Sequence, residues 1–284
     1  MLDTKENKKF SGATQYVLDE ELASIVNVSM ALEMPLLLKG EPGTGKTMLA
    51  YAIAESLHMP LIVLNVKSSM KLVDALYQYD TLTRLNDSRF SDSTRDVSNI
   101  EDYIKMGKIG QAFTSDVRTV LLIDEIDKAD TDFQDDMLDV LDQMEFDIIE
   151  IDKVVKTQHR PVIIITSNAK KDLSDPFLGR CNFHHIAFPD PKMMRRIINV
   201  HFPTLGSDMT DTAIDTFYRL RELDAVEKRP ATRELINWIR ALDSDPDFKP
   251  KNLAKGEVPF LGVLFKKSQD YSRALQQTER RRLF

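Results

Sequence analysis

Cysteine is all but missing from this chain: Cys181 stands alone among 284 residues. No intramolecular disulfide can form, and such usage fits a reducing compartment. Long apolar runs are missing too. Stretches such as Leu36-Leu37-Leu38 and Ile163-Ile164-Ile165 fall far short of the roughly 20 residues that a membrane-spanning helix needs. Met1 to Lys9 is charged and has none of the apolar core of a secretory signal. A cytoplasmic protein without a membrane partner is expected. A basic excess is the third absence. The formal net charge is −7, opposite to the balance with which proteins grip many nucleic-acid phosphates. The short terminal cluster Arg280-Arg281-Arg282 reads as a solvated end. With no basic stripe interleaved with aromatics, direct nucleic-acid binding is not expected. Zinc spacings of Cys and His are absent. His184 and His185 are adjacent in an extended run, so they point to opposite faces and cannot share a metal. Cys181 beside Arg180 reads as a small buried residue, with an activated thiol as the alternative.

What is present is ordinary globular composition, 42% hydrophobic and 29% charged, in a length that suits one large domain or a large and a small one. From residue 20 to 188, short apolar runs alternate with helical patterns: Leu36–Leu38, Leu61–Val66, Val120–Ile123, Val162–Ile165 and His185–Phe188. Runs of Leu, Ile and Val without polar alternation suit strands buried on both faces of a parallel sheet. The helical stretches between them supply the crossovers, which gives an α/β sandwich. Two segments interrupt the rhythm. Ser68–Phe113 contains the polar section Asn86–Asn99, which reads as a surface excursion. Glu145–Arg160 alternates apolar and acidic residues, turns near Asp152-Lys153 and continues as Val154-Val155, which predicts a β-hairpin. Pro189-Asp190-Pro191 is a break, and the patterns beyond it are helical: Met193–His201, Thr210–Leu223, Thr232–Leu242 and Ser268–Thr278. The expected division is an α/β sandwich core over residues 1–188, with insertions near 68–113 and 145–160, then a small helical domain and tail over residues 189–284.

The chemistry begins at Gly40-Glu41-Pro42-Gly43-Thr44-Gly45-Lys46-Thr47, which satisfies the P-loop pattern between an apolar run and the helical stretch Met48–Leu57. Glycines let successive backbone N–H groups turn toward phosphate oxygens, and the helix N-terminus adds its dipole. Lys46 then reaches the β- and γ-phosphates, and the Thr47 hydroxyl is a magnesium ligand. A chance glycine-rich turn has no reason to lie between such a run and such a helix. Val120-Leu121-Leu122-Ile123-Asp124-Glu125 delivers two carboxylates at the end of a buried strand, where open α/β sheets place ligands. Asp124 can hold magnesium through its water shell, and Glu125 is placed to polarise an attacking water. The acids that follow, Asp127, Asp130 and Asp132, lack the glycine of a calcium loop. Phe133, Met137, Leu138, Leu141 and Met144 draw an apolar helical stripe instead, leaving Asp135, Asp136, Asp139 and Asp142 mostly on a solvated face. Asn168-Ala169-Lys170-Lys171-Asp172 has the letters of a guanine-recognition motif at the wrong spacing, which argues against a GTPase.

Four further segments carry a family pattern. They are Tyr16-Val17-Leu18 with Val26–Met34 leading to Pro35-Leu36-Leu37-Leu38-Lys39-Gly40, the strand ending in Thr166-Ser167-Asn168, the stretch Leu173–Arg180, and Arg229-Pro230-Ala231-Thr232-Arg233-Glu234-Leu235. In this order the chain resembles the AAA+ ATPases, and within them the MoxR-like branch, over most of its length. The resemblance implies that ATP and Mg2+ are the ligands and that residues from Gly40 through Met48, with Tyr16 and Val17, line the nucleotide site. It implies that Asn168 is a first sensor, bonding the γ-phosphate or the lytic water. Arg180 looks like an arginine finger acting in a neighbouring subunit, with a helix-end arginine capping carbonyls as the alternative. Arg233 looks like a second sensor, with Arg229 as its competitor. The two interruptions resemble the insertion in the second helix and the hairpin before the first sensor; the polar section Asn86–Asn99 matches nothing in that pattern. The implied activity is ATP hydrolysis by a homo-oligomeric ring, a hexamer, that remodels or matures a client protein. Such proteins often act with von Willebrand factor A domain proteins. The alternative is an NTPase motor subunit of a nucleic-acid-processing or restriction complex.

Overall fold

A computed structural model of the chain describes residues 9–89, 96–168, 173–224 and 226–282. The segment read as lacking a signal, up to residue 8, lies outside the described residues. So do residues 90–95 of the polar section, residues 169–172 of the guanine-like motif and the side chains of 280–282. Among the described residues the strands are β1 (Leu36–Lys39), β2 (Leu61–Asn65), β3 (Tyr77–Tyr79), β4 (Ile104–Met106), β5 (Val120–Asp124), β6 (Glu145–Ile148), β7 (Lys153–Lys156), β8 (Val162–Ser167) and β9 (Asn182–His185).

Five of these form one sheet in the order β2-β5-β8-β1-β9, and each pairing in it is parallel. The reason lies in the side chains. Leu36, Leu37, Leu38, Leu121, Leu122 and Ile123 are all fully buried, and all six residues of β8 are buried. Strands covered on both faces need helices above and below. The crossovers provide them, through Lys46–Leu57, Lys108–Phe113, Thr131–Gln143 and Asp175–Gly179. The fold is the three-layer α/β sandwich of P-loop NTPases, followed by a small helical part.

One expected strand is misplaced. Residues His185–Phe188 do not form it; β9 is Asn182–His185, because it pairs with β1 from Leu36↔Asn182 to Lys39↔His185 and ends where β1 ends. The apolar character of Phe188 serves a different purpose: its ring packs on Phe217 and Tyr218, at centroid distances of 6.3 Å to each. Within β9, burial alternates, with Phe183 half exposed and His184 facing Glu21.

The segment Ser68–Phe113 carries more structure than its polarity suggests. It holds the helix Leu72–Leu76, the antiparallel pair β3–β4, the helix Thr81–Arg89, a 3-10 turn Ile100–Tyr103 and the helix Lys108–Phe113. This last helix belongs to the core, with Ile109, Ala112 and Phe113 buried. It lies so close to the helix Leu72–Leu76 that a Cβ on Gly107 would stand 2.4 Å from the Ala75 carbonyl oxygen, and one on Gly110 2.1 Å from that of Leu76. The helix Thr81–Arg89 buries nothing; polar ties hold it, Arg84 donating to the Tyr79 hydroxyl at 2.7 Å and Tyr103 to Asp87 at 3.0 Å. The hairpin forms as expected. β6 and β7 pair from Glu145↔Lys156 to Ile148↔Lys153, around a turn closed by Asp152 in the left-handed region, φ 50°. Phe146, Ile148 and Val155 face inward, and Ile149 at the tip is 82% exposed.

By contact density the chain makes two compact units. The first comprises Met1–Ala13, Leu18–Gly40 and Lys46–Ile186; the second comprises Thr14–Val17, Glu41–Gly45 and Ala187–Phe284. The second is built from the helices Pro191–His201, Ser207–Arg221, Thr232–Asp243, Pro250–Ala254, Leu261–Leu264 and Ser268–Arg282. Met194, Ile198, Phe217, Leu235, Trp238 and Ile239 form its core. Several of its buried polar groups have partners, though the Thr232 hydroxyl does not. The Trp238 indole donates to the Pro259 carbonyl at 2.8 Å, and Asp270, with no exposed surface, accepts from the backbone N–H groups of Glu227 and Lys228 at 3.0 Å each. Burial, with the nearby Asp190 carboxylate, pushes the Tyr218 phenol up to about 12, so it stays protonated and donates to the Pro189 carbonyl.

Among the described residues no helix is long and apolar enough to cross a membrane, and no group of three or more Cys, His, Asp or Glu side chains is arranged to hold a metal.

Candidate active site

Strands β5, β8 and β1 are neighbours, so their carboxyl ends open side by side. That placement brings the start of the glycine loop, the two acids after β5 and the polar end of β8 to one rim of the sheet. The helix expected from Met48 begins at Lys46, which puts Lys46 and Thr47 in its first turn among backbone N–H groups that have no partner inside the helix.

A polar chain runs across this rim. Thr47 donates through Oγ1 to Asp124 Oδ1 at 2.9 Å. Thr166 Oγ1 donates to the same oxygen at 2.6 Å and accepts from the backbone N–H of Glu125 at 2.9 Å. Thr166 is 1% exposed, so its hydroxyl fixes Asp124 and the backbone of Glu125 together. Glu125 itself is left-handed, φ 60° and ψ 50°, a conformation that costs a non-glycine residue about 1 kcal/mol or more and persists where other bonds hold it. The turn breaks the alternation by which consecutive strand residues face opposite sides.

The Glu125 carboxylate is held at both oxygens. Asn168 Nδ2 donates to Oε1 at 2.9 Å, and the Lys128 ammonium pairs with Oε2. That ion pair, with the hydrogen bond as its main component, raises Lys128 above the usual lysine value. The backbone N–H of Asn168 donates to Asp127 Oδ1 at 3.1 Å, and Asp127 is 3% exposed. A buried carboxylate therefore holds the backbone that carries the Asn168 amide. Lys46 is buried and donates through Nζ to the Gly40 carbonyl at 2.8 Å.

The remainder of the loop belongs to the second unit. Gly43 and Gly45 adopt positive φ, 81° and 93°, which a side chain would resist. Thr44 Oγ1 donates to the Glu41 carbonyl at 2.9 Å, and Pro42 is exposed. Tyr16 lies against Gly45, its ring 3.4 Å from where a Cβ would be, and Val17 beside it is half-buried. Met48, one residue past Thr47 in the first unit, is 49% exposed. Arg233 is exposed in the first turn of the helix Thr232–Asp243, and its competitor Arg229 is exposed as well.

Arg180 stands apart from the rim residues. It follows the helix Asp175–Gly179, and its guanidinium pairs with Asp142 at 2.6 Å and Asp139 at 3.7 Å. The partners are carboxylates on the Thr131–Gln143 helix, so the acid face expected to be merely solvated holds a cation. Next to it Cys181 is buried, and burial, aided by Asp142, pushes its thiol up to about 12; it is a packing residue.

Four residues at or near the site had no role assigned from the chain alone: Thr166, Asp127, Lys128 and Arg221. Thr166 stood inside a recognised segment, and a hydroxyl two positions before the sensor asparagine is a usable signal. Asp127 and Lys128 stand three and four residues after Asp124, where a tight turn returns their side chains to the rim. Arg221 has no local signal, since its carboxylate partner is 180 residues away in the chain.

Residues 36–189, more than half of the chain, match the profile of the ATPase family associated with various cellular activities (AAA). Among solved structures, two point mutants of RuvB from Thermotoga maritima superpose with TM-scores of 0.55 and 0.53 at 16% and 15% identity. The matches span 88% and 92% of this chain and 71% and 67% of theirs. NtrX from Brucella abortus, in complex with ADP, superposes with a TM-score of 0.54 at 15% identity, over 94% of this chain and 60% of its own. At such identities the likeness is one of fold. No curated protein matches the chain.

Proposed function

The chain belongs to the AAA family of ATPases, and from that membership we propose that it hydrolyses ATP at the rim of β1, β5 and β8 to remodel or mature a client protein as a MoxR-like ring. The observation that carries the reading is the linked arrangement Thr47–Asp124–Thr166–Glu125–Asn168, which aligns a hydroxyl, two carboxylates and an amide at one rim of the sheet.

In this reading Lys46 and the loop amides from Gly40 to Thr47 bind the β- and γ-phosphates. The donors fit magnesium: Thr47 Oγ1 and Asp124 Oδ1 are hard oxygens 2.9 Å apart, one neutral and one anionic, as an ion that keeps most of its water requires. Bound there, the ion would offset charge on the phosphates. Thr166 holds Asp124 in place. Asn168 orients Glu125, which draws a proton from water as its oxygen attacks the γ-phosphorus, and the bond to the ADP oxygen breaks. Tyr16, Val17 and Met48 border the nucleotide, and Arg233 contacts phosphate from the helical domain, residues 189–284.

Arg180 works in trans, in the site of the next subunit of a homo-oligomeric ring, a hexamer. Its exposure, 41% of the side chain, and its engagement by acids away from Glu125 support that reading. The insertion at 68–113 and the hairpin at 145–156, placed before β5 and before β8, support the MoxR-like assignment. Their exposed apolar tip residue, Ile149, suits contact with protein, and a von Willebrand factor A domain protein is the first client or adaptor to try. With a net charge of −7, direct contact with nucleic acid is disfavoured.

The test is Glu125→Gln. Phosphate release should fall by about 10²–10⁴-fold, the usual worth of a general base, while ATP binding persists and assemblies accumulate that a pull-down in ATP can capture. Unchanged hydrolysis would sink the assignment. Arg180→Ala subunits mixed into wild type should depress turnover beyond simple dilution; turnover proportional to the wild-type fraction would make Arg180 a structural residue only.

A further inference from the structure

The second unit contains a buried cation that the mechanism above does not use. Arg221, at the end of the helix Ser207–Arg221, is 7% exposed, and its guanidinium has three engagements. Nη2 pairs with the carboxylate of Glu41, the second residue of the glycine loop. Nη1 donates to the Pro230 carbonyl at 2.7 Å. The planar group lies over the Phe188 ring, 3.5 Å from its centroid. Lysine, with a point charge and no plane, meets only part of this.

These contacts bear on the shape of the loop. Pro230 precedes Ala231, and the Ala231 methyl is 2.5 Å from where a Cβ on Gly43 would be, so that segment rests on the loop at the residue that must be left-handed. Glu41 carries the carbonyl that the Thr44 hydroxyl binds at 2.9 Å. One guanidinium thus ties the loop's first turn, through Glu41, to the segment that rests on its middle, through Pro230. Two of its donors are thereby committed to Glu41 and Pro230.

We infer that Arg221 is a positioning residue for nucleotide binding: through Glu41 and Pro230 it holds the glycine loop in the anion-binding shape before the nucleotide arrives. Order imposed in advance appears as affinity, because less is lost on binding. The inference rests on the reading of this loop as the phosphate site.

The experiment measures calorimetric affinity for ADP and for ATP with magnesium, together with turnover at saturating ATP, in the full chain. Glu41→Gln is the decisive variant, since it removes the loop's share of the ion pair and leaves Arg221 on Pro230 and Phe188. It should weaken ADP and ATP binding several-fold, and Arg221→Ala by about tenfold or more, the scale of a charge-assisted hydrogen bond. Arg221→Lys should fall between them. Saturated turnover should change far less than affinity, and Glu41→Gln combined with Arg221→Ala should cost no more than Arg221→Ala alone. Glu41→Gln binding as tightly as wild type overturns the inference, as do additive effects of the two changes. Loss of turnover at unchanged affinity overturns it too, since that marks direct action on the reacting phosphate. If Arg221→Ala fails to fold, Glu41→Gln and Arg221→Lys, tested singly and together, decide in the same way. Wild type that binds no nucleotide, or Lys46→Ala that binds as well as wild type, refutes the phosphate assignment itself and is recognised by those controls.

Discussion

The carboxylates at the end of β5 and the glycine loop at residues 41–45 are held in place by different means. Asp124 and Glu125 emerge from a strand whose neighbours are fixed by sheet order, and a single buried hydroxyl, Thr166, locks both. The two Thr166 bonds are neutral or singly charged, and the register of β5 against β8 brings their partners together. The loop residues have no strand to hold them. An ion pair from Arg221, a methyl from Ala231 and a ring from Tyr16 define their place. Where the backbone ladder sets geometry, side chains have only to finish the alignment. Where it does not, buried charge takes over, with a larger penalty for removing one partner.

The sharpest way to break this contrast is Lys46→Ala. Nucleotide affinity should drop by about 100-fold, the worth of roughly 3 kcal/mol of charged hydrogen bonding, measured by calorimetry with ADP and magnesium. Next comes Thr166→Val, nearly equal in volume. It leaves the Glu125 N–H and one Asp124 lone pair without their partner, so turnover should fall about tenfold, with binding much less affected. A change confined to melting temperature would mean that the sheet alone holds the acids. The smallest effect is expected at Asp270, in the helical unit. Burial alone would raise this carboxyl, but the N–H groups of Glu227 and Lys228, with Lys267 and Arg273, outweigh it and hold it below its usual value of 3.8. A depressed folded value means stability that is present above the unfolded value and lost as pH falls through the folded one. Asp270→Asn should therefore melt about 2–4 °C lower at pH 7, with the gap to wild type closing below about pH 4. A gap that stays constant down to pH 2 would assign the effect to packing.

The same contrast decides how much was readable in the chain. Strands β1, β5 and β8 announced themselves as undiluted Leu, Ile and Val, and the residues at their ends could be assigned by position. The hairpin at 145–156 showed in alternation. His185–Phe188 misled because Phe188 is apolar for a helical packing partner, Phe217, and apolarity alone does not say which neighbour it serves. The helices inside 68–113 were missed because they are short, and one of them, Thr81–Arg89, is held by polar ties with no buried face. Arg221 was beyond reach for a plainer reason: an ion pair across 180 residues leaves no periodicity to detect.

The close approach at Gly107 and Gly110 sets how the 68–113 segment can diverge. Its outer helix, with no buried residue, can exchange one polar side chain for another at little cost to folding. Its root cannot, because even a methyl group at either glycine would collide with a carbonyl oxygen of the helix Leu72–Leu76. Variation in this element is therefore free at the rim and blocked at the base, which makes it a replaceable head on a fixed stem.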